Sequence, residues 1–201
     1  GNTVRFLERG QLDIANANLK TINELIDRMG RITASLRSFA RRGDDQGRAS
    51  LGKAVEAALQ LLGGRLESLS VQVHSRFDDV QVQIDQTRLE QILVNLFGNA
   101  LDAMQTRTEP RLWLEGDPLE GKYRLRVRDN GHGIDEQARK HLFEPFFTTK
   151  PGEQGLGLGL TLSASLAAAA GGYLGVEHPE EGGTTFILSL PLVSPSPAEP
   201  L

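Results

Sequence analysis

The sequence predicts an α+β fold, with helices packed on one face of a mixed, mostly antiparallel sheet and a long helix placed ahead of it. Three observations predict this. Residues 12–42 carry apolar side chains at helical spacing without a proline. After residue 50 the apolar period alternates between helix and strand, in the order αββαββ, long loop, αββ. The long loop, residues 130–157, is rich in glycine and is interrupted by one short helical stretch.

Residues 3–9 read as the end of a helix stopped by Gly10. In the following segment Ala15, Leu19, Ile22, Ile26 and Met29 step by four and three, and Leu36 and Ala40 continue the seam. Thr33 interrupts it and Gly30 weakens the helix locally. A narrow seam of this length needs a cover, so a helical bundle or dimer is preferred to a surface helix on the next domain. RRGDDQGRAS, residues 41–50, is polar and reads as a linker.

LGKAVEAALQLLGGRLES (51–68) predicts a helix. SVQVHSRF (70–77) and VQVQID (80–85) alternate like two strands joined by an Asp-Asp turn. QTRLEQILVNLFGNALDAMQ (86–105) is a strongly amphipathic helix, and 111–117 with 122–129 form a hairpin. A short helix is expected near 135–142 and a longer one from 158 to 170. Strands at 173–178 and 184–192 close the sheet, and the proline-rich 194–201 is expected to be a disordered tail.

Composition narrows the function classes. At 39% hydrophobic and 24% charged residues the chain reads as soluble and globular, and no apolar run approaches the roughly 20 residues of a membrane span. The polar N-terminus carries no signal-peptide pattern. The absence of cysteine rules out disulfides and thiolate metal sites. A net charge of −4 gives no reason to expect nucleic acid as a partner. His74, His132, His141 and His178 lack metal-ligand spacing and read as structural or solvent-facing.

Four stretches carry chemistry. In QILVNLFGNALDAM, Gln91, Asn95 and Asn99 recur every four residues and line one helix face. Carboxamide oxygens are neutral hard ligands, suited to a magnesium ion completed by phosphates and water; alone, they are also ordinary surface amides. In DNGHGID, Asp129 ends a strand and Gly131 and Gly133 follow. A partly buried carboxylate there can accept from an exocyclic amine while the glycines admit a flat base, although an Asn-Gly turn has the same composition. In HLFEPFFTTK, Phe143, Phe146 and Phe147 read either as a core cluster or as an aromatic hinge, with Thr148, Thr149 and Lys150 as phosphate contacts beyond it. In GEQGLGLGLTLS, Gly155, Gly157 and Gly159 sit where a helix begins, where unpaired N–H groups and the dipole favour phosphate. Leu156 and Leu158 tie that loop to the core.

Together these stretches resemble, in order, the N, G1, F and G2 boxes of the histidine kinase catalytic domain, and GGTTF (182–186) resembles its last box. FLERGQ, the 22–42 helix and RLEQILVNLFGNALDAM look most like the C4-dicarboxylate sensor kinase branch. The resemblance implies a two-layer α/β sandwich of the histidine kinase/gyrase/Hsp90 ATPase type over 51–193. Before it would come part of a dimerisation and phosphotransfer hairpin at 1–42 and a linker at 43–50. It further implies ATP and Mg²⁺ as ligands. Asn99 would coordinate the metal with Asn95 beside it, and Gln91 would position the metal's water or the γ-phosphate. Asp129 would bind the adenine amine. Gly131, Gly133, Ile134 and Thr184 would shape the base pocket, and Phe147, Thr148, Lys150, Gly155, Leu156, Gly157, Leu158 and Gly159 would form the lid and phosphate edge. A response regulator receiver domain and a second copy, through the N-terminal helix, are the implied partners. The implied location is the cytoplasmic part of an inner-membrane sensor, with any membrane contact made by upstream segments.

The family's acceptor histidine has no counterpart, since residues 1–42 contain none. The first hairpin helix is therefore expected to be cut after the acceptor, leaving a fragment unable to phosphorylate itself. An ATP-hydrolysing clamp of the GHKL type shares the nucleotide fold but needs a glutamate where Asn95 stands, and an amide cannot activate water as a general base. A non-catalytic nucleotide-sensing dimerisation module would share every binding residue.

Overall fold

The structure, a computed structural model, describes residues 12–14, 16, 18–19, 22, 47–66, 70–73, 77–149, 157–179 and 181–193. The chain divides into two units, Gly1–Arg42 and Gly43–Leu201. In the first, every described residue is helical, and Leu12, Ile14, Leu19 and Ile22 are exposed. Leu19 and Ile22 belong to the expected seam. Its other members, together with the helix end at 3–9, residues 43–46, His74 and the tail 194–201, lie outside the described residues.

The second unit begins with β1 (Ala49–Ser50), α1 (Leu51–Leu61), α2 (Gly63–Leu66), β2 (Ser70–Val73), β3 (Gln81–Val82) and α3 (Gln86–Ala103). It continues with β4 (Arg111–Leu119), β5 (Lys122–Asp129), α4 (Glu136–His141), α5 (Gly159–Ala169), β6 (Tyr173–Glu177) and β7 (Thr184–Pro191). Five strands form one sheet in the order β2-β4-β5-β7-β6. β2 runs parallel to β4, and the other neighbours are antiparallel, as the mixed-sheet expectation requires.

Local chemistry fixes the helices. Asp85 caps α3 by accepting from the Arg88 amide at 3.1 Å. Leu89, Ile92, Leu93, Leu96, Phe97 and Ala100 then recur at three- and four-residue steps, and all are buried. Asp135 caps α4 at 2.7 Å, and Arg139, Lys140 and His141 fall in its last turn, where the helix dipole favours cations. The β4–β5 hairpin closes through Glu120 and Gly121, both at positive φ (50° and 76°), the twist that suits a two-residue connection.

Three expectations change. The helix expected over 51–68 breaks at Leu62, just before the Gly63-Gly64 pair, and resumes as the short α2. The strand expected over 80–85 shrinks to Gln81–Val82, and Asp85 at its far end is taken as the α3 cap. The turn joining 77 to 80 does form, with the Val80 amide donating to the Phe77 carbonyl at 3.1 Å. The strands on its two sides nonetheless part company. β2 joins the main sheet, and β3 pairs with β1, which takes the last two residues of the expected linker.

The side-chain phase of β5 sets the site. Tyr123, Leu125, Val127 and Asp129 all point to the buried side, and Arg124, Arg126 and Arg128 to the other. On that open face Asp117 binds Arg124 at 2.6 Å and Arg126 at 2.5 Å, and Arg128 lies over the Trp113 ring. Asp129 thus continues an apolar row into the layer between sheet and helices.

Candidate functional site

Asp129 is 1% exposed. Burial pushes its carboxyl up to about 6, against the lowering pull of the Gly131 and Thr184 backbone N–H groups and of His132 and Arg107. The Gly131 amide donates to the carboxylate at 2.8 Å. Thr184 lies directly opposite Asp129 in the β5–β7 ladder and is itself buried.

The glycines around it are dictated by contact. A Cβ on Gly131 would sit 2.7 Å from the Ala103 carbonyl oxygen, at the end of α3. Gly183, at φ +83°, would place one 2.0 Å from the Asp129 carbonyl oxygen. The loop is tied to α3 by two further bonds: the His132 amide to the Ala103 carbonyl at 3.2 Å, and Arg107 Nη2 to the Gly131 carbonyl at 2.9 Å. Ile134 packs half-buried against the core.

Gln91, Asn95 and Asn99 are half-buried along α3, between fully buried apolar neighbours. Asn95 is gripped by α5. Its Nδ2 donates to Ser163 Oγ at 3.0 Å, and a Cβ on Gly159 would meet its Oδ1 at 2.3 Å. Glu90, the nearest carboxylate in sequence, accepts from Gln86 Nε2 at 2.9 Å. Among the described residues no group of three or more His, Cys, Asp or Glu could hold a metal. A donor set of carboxamides fits a magnesium ion that arrives with phosphates and keeps its water.

The aromatic stretch is latched to the glycine loop. The Phe146 amide donates to the Gly157 carbonyl at 2.9 Å, and Thr161 Oγ1 donates to the Phe143 carbonyl at 3.0 Å. Gly157 has φ +62°, and a Cβ there would lie 2.3 Å from the Phe146 carbonyl carbon. Phe146 is itself at φ +66° and exposed, while Phe147 is half-buried with its ring 5.7 Å from that of His141. Thr148 is exposed and Leu158 half-buried. Leu158 precedes α5 and contributes no side-chain capping bond. Lys150, Gly155 and Leu156 lie outside the described residues.

The candidate residues therefore fall into two described groups. Asp129, Gly131, Gly133 and Thr184 meet at one end of the sheet, and Asn95 meets Gly159 where α3 and α5 touch. A cavity of about 220 Å³ lined by Trp113, Arg126, Arg128, His178 and Thr185 lies on the open face and contains none of them. Sequence reasoning missed Arg107, Gly183 and Ser163. The Gly-Gly pair before β7 is a signal for Gly183, whereas nothing in LSASL distinguishes Ser163.

The sequence profile of the histidine kinase-, DNA gyrase B- and HSP90-like ATPases matches residues 84–194, just over half the chain. This chain belongs to that family. Within it, the chain is similar to the C4-dicarboxylate transport sensor protein DctB of Rhizobium meliloti strain 1021, 39% identical over 94% of this chain and 30% of that one. DctB of Pseudomonas aeruginosa is 38% identical over 92% of this chain and 31% of the relative. The chain thus spans about a third of these relatives' length. Among solved structures it is similar to the catalytic domain of histidine kinase ThkA, at TM-score 0.61 and 28% identity over 72% of this chain and 93% of that one. Position 95 carries an amide, and Glu90 is held by Gln86 one turn back.

Proposed function

We propose that this chain is the ATP-binding catalytic part of a two-component sensor histidine kinase, which moves the ATP γ-phosphate to a histidine on a dimerisation helix for relay to a response regulator aspartate. The observation that carries the reading is the buried Asp129 carboxylate, braced by Gly131 and Thr184, together with a carboxamide row on α3. Above about pH 6 Asp129 is ionised and can accept from the adenine amine. Gly131, Gly133, Ile134 and Thr184 shape the base pocket.

Asn99 would hold Mg²⁺ with Asn95 beside it, and Gln91 would orient its water or the γ-phosphate. When bound, the ion neutralises charge on the phosphates. Phe147, Thr148, Lys150 and the 155–159 stretch form the lid and phosphate edge, and the α5 N-terminus offers N–H groups to the phosphates. With an amide at position 95, hydrolysis by activated water is slow.

In this reading residues 1–42 are part of the dimerisation hairpin, 43–50 the linker, 51–193 the catalytic domain and 194–201 a tail. Two copies pair through the N-terminal helix, whose exposed Leu19 and Ile22 call for a cover. Among the described residues no helix is long and apolar enough to cross a membrane, which agrees with a cytoplasmic portion of an inner-membrane sensor.

The test is incubation of the full-length protein, and of this chain, with γ-labelled ATP under conditions that preserve phosphohistidine. The expected result is acid-labile label on the full-length protein, passed on to a receiver domain, and none on this chain, whose described histidines His132, His141 and His178 all lie in the second unit. Phosphate release without label would mean a GHKL-type ATPase, and nucleotide binding with neither would mean a sensing module.

A further inference from the structure

We propose that Ser163 is a positioning residue: its hydroxyl holds the Asn95 carboxamide with the oxygen turned towards the start of α5, where the phosphates and their metal are placed by the proposed function. The inference rests on that reading for what Asn95 faces, and on the structure for how it is held.

Ser163 is 2% exposed, on the side of α5 that also buries Leu162, Leu166 and Ala167. A hydroxyl in that layer needs a partner, since an unsatisfied buried polar group costs more than a hydrogen bond returns. The other two hydroxyls of α5 are committed to the backbone, Thr161 Oγ1 to the Phe143 carbonyl and Ser165 Oγ to the Thr161 carbonyl. Ser163 instead reaches another helix and accepts from Asn95 Nδ2 at 3.0 Å. One turn earlier on α5, Gly159 leaves open the space that the Asn95 oxygen fills, 2.3 Å from where a Cβ would stand. A single helix thus grips both ends of one carboxamide.

In this grip the oxygen, and not the NH₂, faces the start of α5. A carboxamide turned by half a rotation presents an NH₂ donor where its oxygen was. The oxygen can bind a cation or accept from its water, and the NH₂ can do neither. With Ser163 replaced by alanine, the carboxamide loses the hydroxyl that anchors it and turns more freely. No group that would touch nucleotide is removed, so the loss should appear only where the metal takes part in binding.

The experiment is calorimetric titration of this chain with ATP, in magnesium and in EDTA, for the wild type, Ser163→Ala, Asn95→Ala and the double variant. Ser163→Ala should weaken Mg-ATP binding about three- to tenfold, the size of one hydrogen bond, and metal-free ATP binding by less than about twofold. In the Asn95→Ala background it should add nothing. As a second readout, without nucleotide, the Asn95 side-chain NH₂ signals, assigned by their loss in Asn95→Ala, should exchange faster with water in Ser163→Ala. If Asn95→Ala binds Mg-ATP like the wild type, the proposed role of Asn95 fails, and with it the role of Ser163. If Asn95→Ala weakens binding and Ser163→Ala does not, this inference alone fails. Equal losses with and without metal, or a further loss in the double variant, would show that Ser163 acts through helix packing and would overturn it.

Discussion

Replacing Asp129 with asparagine should make the free protein more stable at neutral pH while it weakens adenine binding. The magnitude follows from the carboxyl's position. Burial raises it from 3.8 to about 6. A shift of roughly two pH units, at about 1.36 kcal/mol each, corresponds to about 3 kcal/mol. Because the folded-state value lies above the unfolded one, this contribution is fully present below about pH 4 and is lost as pH rises through about 6. At about pH 7.5 the folded chain therefore carries an ionised carboxylate at a cost of that size.

An amide at the same place carries no charge at any pH, and its oxygen can still accept from the Gly131 N–H. It loses the extra strength of bonds to a charged acceptor and brings an NH₂ that needs a partner. The net gain expected is about 1–2 kcal/mol, or about 3–6 °C in melting temperature for a domain of this size. Thermal melts of wild type and variant between about pH 4.5 and 7.5 test this. The gain should shrink towards zero as the wild-type carboxyl becomes protonated. Nucleotide affinity, read by calorimetry, should fall at least about tenfold in the variant, and about tenfold in the wild type between about pH 7 and 5 as the ionised fraction drops. A variant less stable than the wild type at about pH 7.5, or a gain independent of pH, would refute the argument.

Two other substitutions probe the rest of the site. Asn99→Ala should weaken ATP binding more in magnesium than in EDTA, because the group removed is the proposed metal ligand; equal losses by titration would remove that role. Gly157→Ala should cost more than about 1 kcal/mol in urea unfolding, since it asks alanine to adopt φ +62° with its methyl 2.3 Å from the Phe146 backbone; an unchanged midpoint would show that the loop and the aromatic stretch are not tied together.

What the sequence disclosed and what it withheld separate along one physical line. The α3 helix and its amide row were legible because each is a matter of period, and Asp129 read as partly buried from its place at a strand end, where the structure buries it fully. Apolar steps of three and four define one helix face, and Asp129 shares its parity with Tyr123, Leu125 and Val127. Strand pairing was not legible, because alternation marks a strand without naming its neighbour. Residues 70–73 and 81–82 both read as strands, yet the first runs parallel to β4 and the second pairs with β1. The glycines of GLGLGL show the same divide. Their position at a helix start suggested room for phosphate, but Gly157 answers to the Phe146 backbone and Gly159 to the Asn95 oxygen. Each contact joins residues far apart in the chain, so neither could be read from local spacing. Ser163 is the extreme case: it stands 68 residues from Asn95, and only the packing of α5 on α3 turns an ordinary helical serine into the partner of that carboxamide.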